Sequence, residues 1–404
     1  MPPSPLTRSF PGWLILMGAL TAIGPLSIDM YLPAFPAIAQ ALGASPGEVE
    51  RTLAAYLAGM ALAQLAYGPL SDRYGRKLPL CGALILYIVA SAAAALAPDV
   101  HSLTAWRVVQ AIGGAAGVVI PRAVIRDNLG VQDSARAMSS LMLIMGLAPI
   151  LAPLVGGQLL GITGWRGIFW LMSAMGLVLL AFVLRTMRES LPADRRLPLT
   201  PAVITRNYAE LLRHRPFVAY ALAGGFGSAG MFAYIAASPR VFIDFYDVPA
   251  EWYGLLFGLN AAGLIAGSQV SARLLRRHVP GTLLGRALPA LALIPLAGLA
   301  LTLLGLITLP LLMACLVGYM SSQGFVNPNA AALALADQGK RLGAASALMG
   351  MLQIGCGVLS GLLISAWGTP GPLPLTCLLA LCGCLAWLSG RIALRASAAK
   401  TTAA

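Results

Sequence analysis

Gly68-Pro-Leu-Ser-Asp72-Arg73-Tyr-Gly75-Arg76-Lys77 lies between two long apolar runs, and its reading decides the fold. Four charges and two glycines within ten residues cannot lie in hydrocarbon. They predict a tight turn at a membrane surface, joining two spanning helices. The glycines let the backbone reverse beside a neighbouring helix, and the cations suit anionic lipid or a helix C-terminus.

Composition points the same way. The chain of 404 residues is 58% hydrophobic and 10% charged, with a mean hydropathy of +0.81. Soluble domains carry about 25% charged residues. Helical spans of about 20 apolar residues are expected at 12–33, 50–70, 79–97, 102–124, 137–160, 167–185, 216–238, 252–272, 283–306, 308–334, 342–366 and 371–391. Pro149, Pro153 and Pro328 interrupt two of these. The fold class is therefore an all-α membrane protein of 12 transmembrane helices, arranged as two six-helix bundles. The spans use nearly the whole chain, which leaves no room for a soluble catalytic domain.

Cations give the orientation. With the N-terminus in the cytoplasm, only Arg51, Arg166 and Arg240 of the 27 Lys and Arg fall in outer loops, and Arg107 falls within a span. Acidic residues divide between the two sides, the pattern of the positive-inside rule. The net charge of +13 thus reports topology and contact with anionic lipid at the cytoplasmic face, without nucleic acid. Both termini are expected in the cytoplasm, with the chain multi-pass and monomeric. The first apolar run lacks a small-residue cleavage site and reads as the first span. The six cysteines lie in apolar spans without metal-ligand partners and read as packing residues; no metal or cofactor is expected. No G-x-S-x-G, Walker loop or H-E-x-x-H occurs, so no enzyme constellation is expected, and the missing Walker loop argues against an ATP-driven pump on the same polypeptide.

A polar stretch at 186–215 divides the spans six and six, giving an N-terminal bundle (1–185), a cytoplasmic linker (186–215) and a C-terminal bundle with a short tail (216–404). The linker is expected to hold a short amphipathic helix at 203–213 on the anionic leaflet. A shift of 200 residues lays Ser71, Arg73, Arg76 and Lys77 on Ser271, Arg273, Arg276 and Arg277, as parallel repeats would.

Ionisable residues inside spans cost at least a few kcal/mol and mark function. Asp29 lies a turn or so before the outer end of the first span. Arg107 lies one to two turns after the outer start of the fourth, and Arg122 near its inner end. At 1.5 Å per residue, Asp29 and Arg107 share the outer half of the bilayer. They are the candidates for proton coupling, either as an alternating pair or as a static salt bridge. Pro25, Asp29 and Pro33 share a helix face, which favours Asp29 facing the interior. Tyr31, Phe35, Tyr56, Met60, Met231, Phe232, Tyr234, Phe257, Asn260, Asn327, Asn329 and Gln353 are candidates to line an apolar cavity suited to amphipathic solutes. Asp72 is placed to attract a helix N-terminus across the inner mouth, near Gly343.

The opening string matches G-x-L-x-D-R-x-G-R-R/K, the loop between helices two and three in the major facilitator superfamily. Ala148-Pro149-Ile-Leu-Ala152-Pro153-Leu-Val-Gly156-Gly157 resembles that superfamily's antiporter motif, with Ala148 and Ala152 replacing its first two glycines. Pro25-Leu-Ser-Ile-Asp29-Met-Tyr31-Leu-Pro33, Arg126-Asp127, Gly164-Trp165-Arg166-x-x-Phe169-Trp170 and Gly225-Phe226-x-x-x-Gly230-Met231-Phe232 resemble the Bcr/CflA group of drug:proton antiporters. The resemblance runs through the first half and into the seventh span. It implies proton-coupled export of small amphipathic drugs of bicyclomycin or chloramphenicol type by alternating access, with Asp29 carrying the proton and Arg107 as its partner. Gly68, Asp72, Arg73, Gly75, Arg76 and Arg126 would form the cytoplasmic gate, and Pro149, Pro153, Gly156 and Gly157 the antiporter bend. A housekeeping metabolite exporter or importer on the same fold is the alternative.

Overall fold

The computed structural model describes residues 12–129, 131–196, 201–336, 338, 342–367 and 371–402. Those residues are almost entirely helical, without a β-strand among them. The helices are α1 (Gly12–Asp29), α2 (Phe35–Leu42), α3 (Pro46–Tyr74), α4 (Lys77–Ala95), α5 (Val100–Asn128), α6 (Val131–Thr186) and α7 (Pro201–Arg213). The second half supplies α8 (Arg215–Pro239), α9 (Ala250–Leu274), α10 (Pro280–Leu303), α11 (Leu309–Leu335), α12 (Leu342–Ala366) and α13 (Pro372–Thr402).

Eleven helical segments among the described residues are long and apolar enough to cross a membrane. One of them, Leu147–Thr186, has 40 residues, about 60 Å and twice the hydrocarbon thickness. It reverses at Gly164, whose φ of 70° and ψ of 179° suit a residue without a Cβ. The arm after the break runs antiparallel to α4. Arg166 donates to the Ala97 carbonyl, Ser173 to that of Ile88, and Lys77 Nζ to those of Leu184 and Met187. Gly164 thus replaces a loop between two crossings, and the count becomes twelve.

Prolines set the other departures from the expected spans. The first span was expected to reach residue 33. Pro33 cannot donate to the Asp29 carbonyl, so α1 ends at Asp29 and a 3₁₀ turn (Leu32–Ala34) leads into α2. Pro328 is accommodated inside a continuous α11. In the linker, α7 covers the expected short helix. Large apolar side chains such as Leu62, Ile85, Phe182, Leu293 and Leu388 stay exposed on the outside of the helices, where a bilayer would cover them.

The two halves repeat their packing. α5 packs against α1, α3 and α4, as α11 packs against α8, α9 and α10. Gly59 meets the Val108 carbonyl in the first half and Gly263 meets the Val317 carbonyl in the second, an offset close to the 200 residues of the sequence repeat. Contacts between halves run through α3 with α12 and α6 with α9.

The turn expected over Gly68–Lys77 narrows to Gly75 and Arg76, because α3 continues through Tyr74; the end of the molecule that carries this turn and the linker we call the basic end. Here Gly75 has φ 86° and ψ 172°, and a Cβ on it would press into the Glu189 carboxylate. That backbone region is essentially restricted to glycine and costs other residues about 1–3 kcal/mol. Gly75→Ala should therefore lower stability by at least about 1 kcal/mol, read as the melting temperature of the purified protein. Gly68→Ala should leave it nearly unchanged, because a Cβ there meets open space.

Candidate functional site

α1 stops because of Pro33, and its last carbonyls need donors from elsewhere. Arg107, on α5, supplies one: its Nη2 donates to the Ser27 carbonyl at 2.9 Å, while Nη1 donates to Gln110 Oε1 at 2.6 Å. Its guanidinium lies 4.2 Å from the ring centres of both Tyr31 and Tyr56 and 5.8 Å from that of Phe169. Gln110 in turn donates to Ser91, and the Ser27 hydroxyl pairs with that of Tyr87 at 2.6 Å. Arg107 is 0% exposed. This is a buried cation solvated by a helix C-terminus, an amide and aromatic faces.

Asp29 takes no part in that cage. The static salt bridge between Asp29 and Arg107, one of the two expected arrangements, is absent: none of the ion pairs among the described residues includes either side chain. Depth was right, since Arg107 reaches the last turn of α1. Direction around the helix was not. Ser27 and Asp29 are two positions apart, roughly 200° around a helix of 3.6 residues per turn. The Ser27 face meets α4 and α5, whereas Asp29 faces a cavity between the two halves.

That cavity has a volume of about 390 Å³ and a mainly apolar wall. Asp29 is 3% exposed, and its Oδ1 accepts no hydrogen bond. Pro25 shares the wall, as does Pro149 of the antiporter-like string; Pro33 lies beyond the helix end. Of the candidate lining residues, Met60, Met231, Phe232, Tyr234, Asn260, Gln353 and Phe257 are on the wall. Tyr31, Phe35, Tyr56 and Asn327 are not. Tyr31 and Tyr56 are consumed by the Arg107 cage, Phe35 packs on Tyr31 with ring centres 5.0 Å apart, and Asn327 accepts from Gln353 behind the wall at 2.8 Å. Asn329 is buried against Ser271. Arg122 and Gln64 line the cavity too; Gln64 escaped sequence reading because a lone glutamine in a span has no partner to flag it.

The antiporter-like string is a seam. Gly156 lets α6 touch the Met30 carbonyl, directly after Asp29, and Gly157 lies against the Ala250 carbonyl at the start of α9. At this end, opposite the basic one, Glu50 of α3 and Arg240 after α8 approach to 3.0 Å, and Gly47 meets the Ser365 carbonyl. Each of these last three contacts joins one half to the other. The opposite end is closed.

At the basic end the cluster joins the first half to itself and to the start of the linker. Arg76, 5% exposed, donates to Asp72 at 2.6 Å, Ser71 at 2.8 Å and Asp127 at 2.9 Å. Burial alone would make its charge harder to keep, but these carboxylates hold the guanidinium above its ordinary pKa. Glu189 accepts from the backbone N–H groups of Arg76, Lys77 and Leu191. Burial pushes its carboxyl up, yet those donors hold it below the usual range. The expected gate needs correcting here. Arg73 and Arg126 are exposed, Gly68 packs against nothing, and Asp127 and Glu189 do the holding. Asp72 pairs with Arg76. Residues 339–341, just before α12, lie outside the described residues; the antiparallel meetings of Gly361 with Ala54 and Gly350 with Gln64 lead the end of α3 toward Leu342.

Residues 17–353 match the profile of the Major Facilitator Superfamily. The chain is 36% identical over 345 residues to the uncharacterized MFS-type transporter YdgK of Bacillus subtilis, covering 84% of this chain and 85% of that one. It is 32% identical over 360 residues to the bicyclomycin resistance protein homolog of Haemophilus influenzae, covering 88% and 89%. To the multidrug resistance protein MdtL of Klebsiella pneumoniae it is 31% identical over 345 residues, covering 85% and 86%. Among solved structures it resembles the peptide transporter POT in complex with sulfate (TM-score 0.74, 15% identity, 96% of both chains). It also resembles the D-xylose-proton symporter (TM-score 0.72, 15% identity, 93% and 95%). At those identities the likeness is one of fold.

Two predictions follow from the geometry of these charges. Breaking a buried ion pair costs about 3–5 kcal/mol from either side, but here the two residues are separate. Arg107→Gln should cost about 2–4 kcal/mol through the lost charged hydrogen bonds and ring contacts, whereas Asp29→Asn should stay within about 1 kcal/mol. A double-mutant cycle on melting should show coupling below about 0.5 kcal/mol; coupling of several kcal/mol would restore the ion pair. At the basic end, Asp127 has a side chain 18% exposed against 42% for Asp72. Asp127→Asn should then cost about 1–3 kcal/mol and Asp72→Asn about 0–1 kcal/mol, measured by denaturation in the same detergent.

Proposed function

The chain belongs to the major facilitator superfamily, and from that premise we propose a proton-coupled exporter of small amphipathic compounds that works by alternating access. It is a transporter; the coupling ion and the direction are what we add. One observation carries the reading: Asp29 is a buried carboxylate on the wall of the central cavity with no ion-pair partner. A buried unpaired charge costs several kcal/mol. The negative end of the α1 dipole, where Asp29 stands, adds to that cost. A proton or a donor from a bound compound removes it. The two then compete for one site, which is what exchange of proton against substrate requires.

The relatives support the direction, being a bicyclomycin resistance protein homolog and a multidrug resistance protein by name. Antibiotics of bicyclomycin or chloramphenicol type are accordingly the first compounds to test. The distribution of cations supports the basic end lying in the cytoplasm, which makes the opposite end, where contacts join the halves, the outer one. Substrate enters from the basic end. Separation of the opposite end at the Glu50–Arg240 and Gly157–Ala250 contacts then exposes Asp29 to external protons, and protonation releases the compound outward. The first and second halves move as the two bodies, with residues 186–215 between them as the linker.

Asp29→Asn tests this directly. The amide keeps shape but cannot carry a proton. In a pump-deficient bacterium, wild type should raise resistance to the exported compound and lose that effect when the proton gradient is collapsed. The variant should insert, melt near the wild-type temperature and confer no resistance. Full resistance with an unchanged need for the gradient would place the proton carrier elsewhere.

A further inference from the structure

Several buried polar atoms among the described residues have no hydrogen-bond partner: those of Asp29, Glu50, Tyr56, Arg107, Trp165, Arg240, Asn260, Gln323 and Asn329. Only two of these side chains line the central cavity, Asp29 and Asn260. They come from opposite halves, at the end of α1 and in the middle of α9. Both orphaned atoms are acceptors, Asp29 Oδ1 and Asn260 Oδ1.

The orientation of the Asn260 amide follows from its partners. Its Nδ2 sits 3.1 Å from the Leu256 carbonyl, 3.0 Å from Tyr234 Oη and 3.7 Å from Met313 Sδ. A backbone carbonyl only accepts, so the nitrogen must be the atom facing it. The oxygen is left without a donor. Asn260 is 1% exposed, and a buried acceptor left unpaired costs free energy that a ligand donor can return. Around it the cavity offers Phe232, Phe257, Met60, Met231, Ile28 and Met320, surfaces for an apolar body.

We propose that the cavity selects compounds whose polar head carries N–H or O–H donors, held between the Asp29 carboxylate and the Asn260 amide oxygen, with an apolar tail against the aromatic and methionine wall. This rests on the reading of the cavity as the substrate site and names what that site recognises. Positive charge by itself does not meet the requirement. A quaternary ammonium satisfies Asp29 electrostatically but donates nothing to Asn260 or to the carboxylate. The donor bridge also spans the two halves, so Asn260 is a specificity-determining residue and not a proton carrier.

A matched pair of probes tests this: 4-phenylbutylammonium, with three N–H donors, and 4-phenylbutyltrimethylammonium, with the same tail and charge and none. Binding is measured by calorimetry on purified full-length protein in detergent, without a proton gradient. Wild type should bind the primary ammonium more tightly by on the order of tenfold or more, the worth of one hydrogen bond to a charged group. Asn260→Leu should weaken the primary ammonium by a similar factor and leave the quaternary one unchanged. Asn260→Ser, smaller and still polar, should lie between, and monodisperse elution with a preserved melt certifies both variants. Equal wild-type affinities would overturn donor recognition while leaving the cavity a substrate site, and that comparison needs no variant. A parallel loss of both probes in Asn260→Leu would overturn the role of Asn260. Binding of neither probe would remove the cavity as the substrate site and this inference with it. The resistance phenotype of Asp29→Asn bears on proton coupling separately from all three.

Discussion

Arg107 on the Ser27 carbonyl is the contact on which the rest of the site depends. A cation at the C-terminal end of a helix is stabilised by the helix dipole, and here it also replaces the hydrogen bond that the break before Pro33 takes away. The aromatic faces of Tyr31 and Tyr56 complete its solvation. Because both terminal nitrogens of Arg107 are engaged on the first-half side, it does not neutralise Asp29, and the carboxylate on the other side of the helix keeps its demand for a proton or a donor. A positive charge that anchors the helix and an acid that stays unsatisfied are two outcomes of one arrangement.

The distribution of polar contacts between the ends gives the molecule its asymmetry. At the basic end, Arg76, Asp72 and Asp127 bind the first half to itself, and Glu189 ties the start of the linker to it. At the opposite end, the contacts of Glu50 with Arg240, of Gly47 with Ser365 and of Gly157 with Ala250 join the halves. Rigid bodies with a few separable contacts between them are what a rocking motion about a central cavity needs. Gly156 and Gly157 bring both kinds of contact to neighbouring residues, one on the turn after Asp29 and one on the other half.

Much of the fold was legible because hydrocarbon imposes strict rules: length and apolarity place the spans, and the charges of Gly68–Lys77 put a reversal there, although the helix runs on to Tyr74 and leaves only Gly75 and Arg76 to make it. Depth was legible too, since 1.5 Å per residue puts Asp29 and Arg107 on one level. Direction around each helix was not, because spans apolar on all sides carry no stripe to show which face meets protein. That is why Tyr31 and Tyr56 were expected on the cavity and lie in the Arg107 cage, while Gln64 was missed. Glu189 was hidden by distance along the chain, 113 positions from its partner Arg76. The Gly164 reversal was written as a gap between spans at 160 and 167, and its backbone angles explain how so few residues suffice.

The Glu50–Arg240 contact carries a consequence for how the two sides of the membrane speak to the protein. The pair is nearly dry, with side chains 2% and 10% exposed, and dissolved ions scarcely screen charges so enclosed. Once parted, both groups face water, where a Debye length of about 8 Å at physiological ionic strength shields each of them. Electrolyte on that one side therefore favours the parted arrangement and does little to the joined one. On the proposed cycle, the balance between the joined and parted arrangements then answers to the salinity of a single compartment, the one beyond that end.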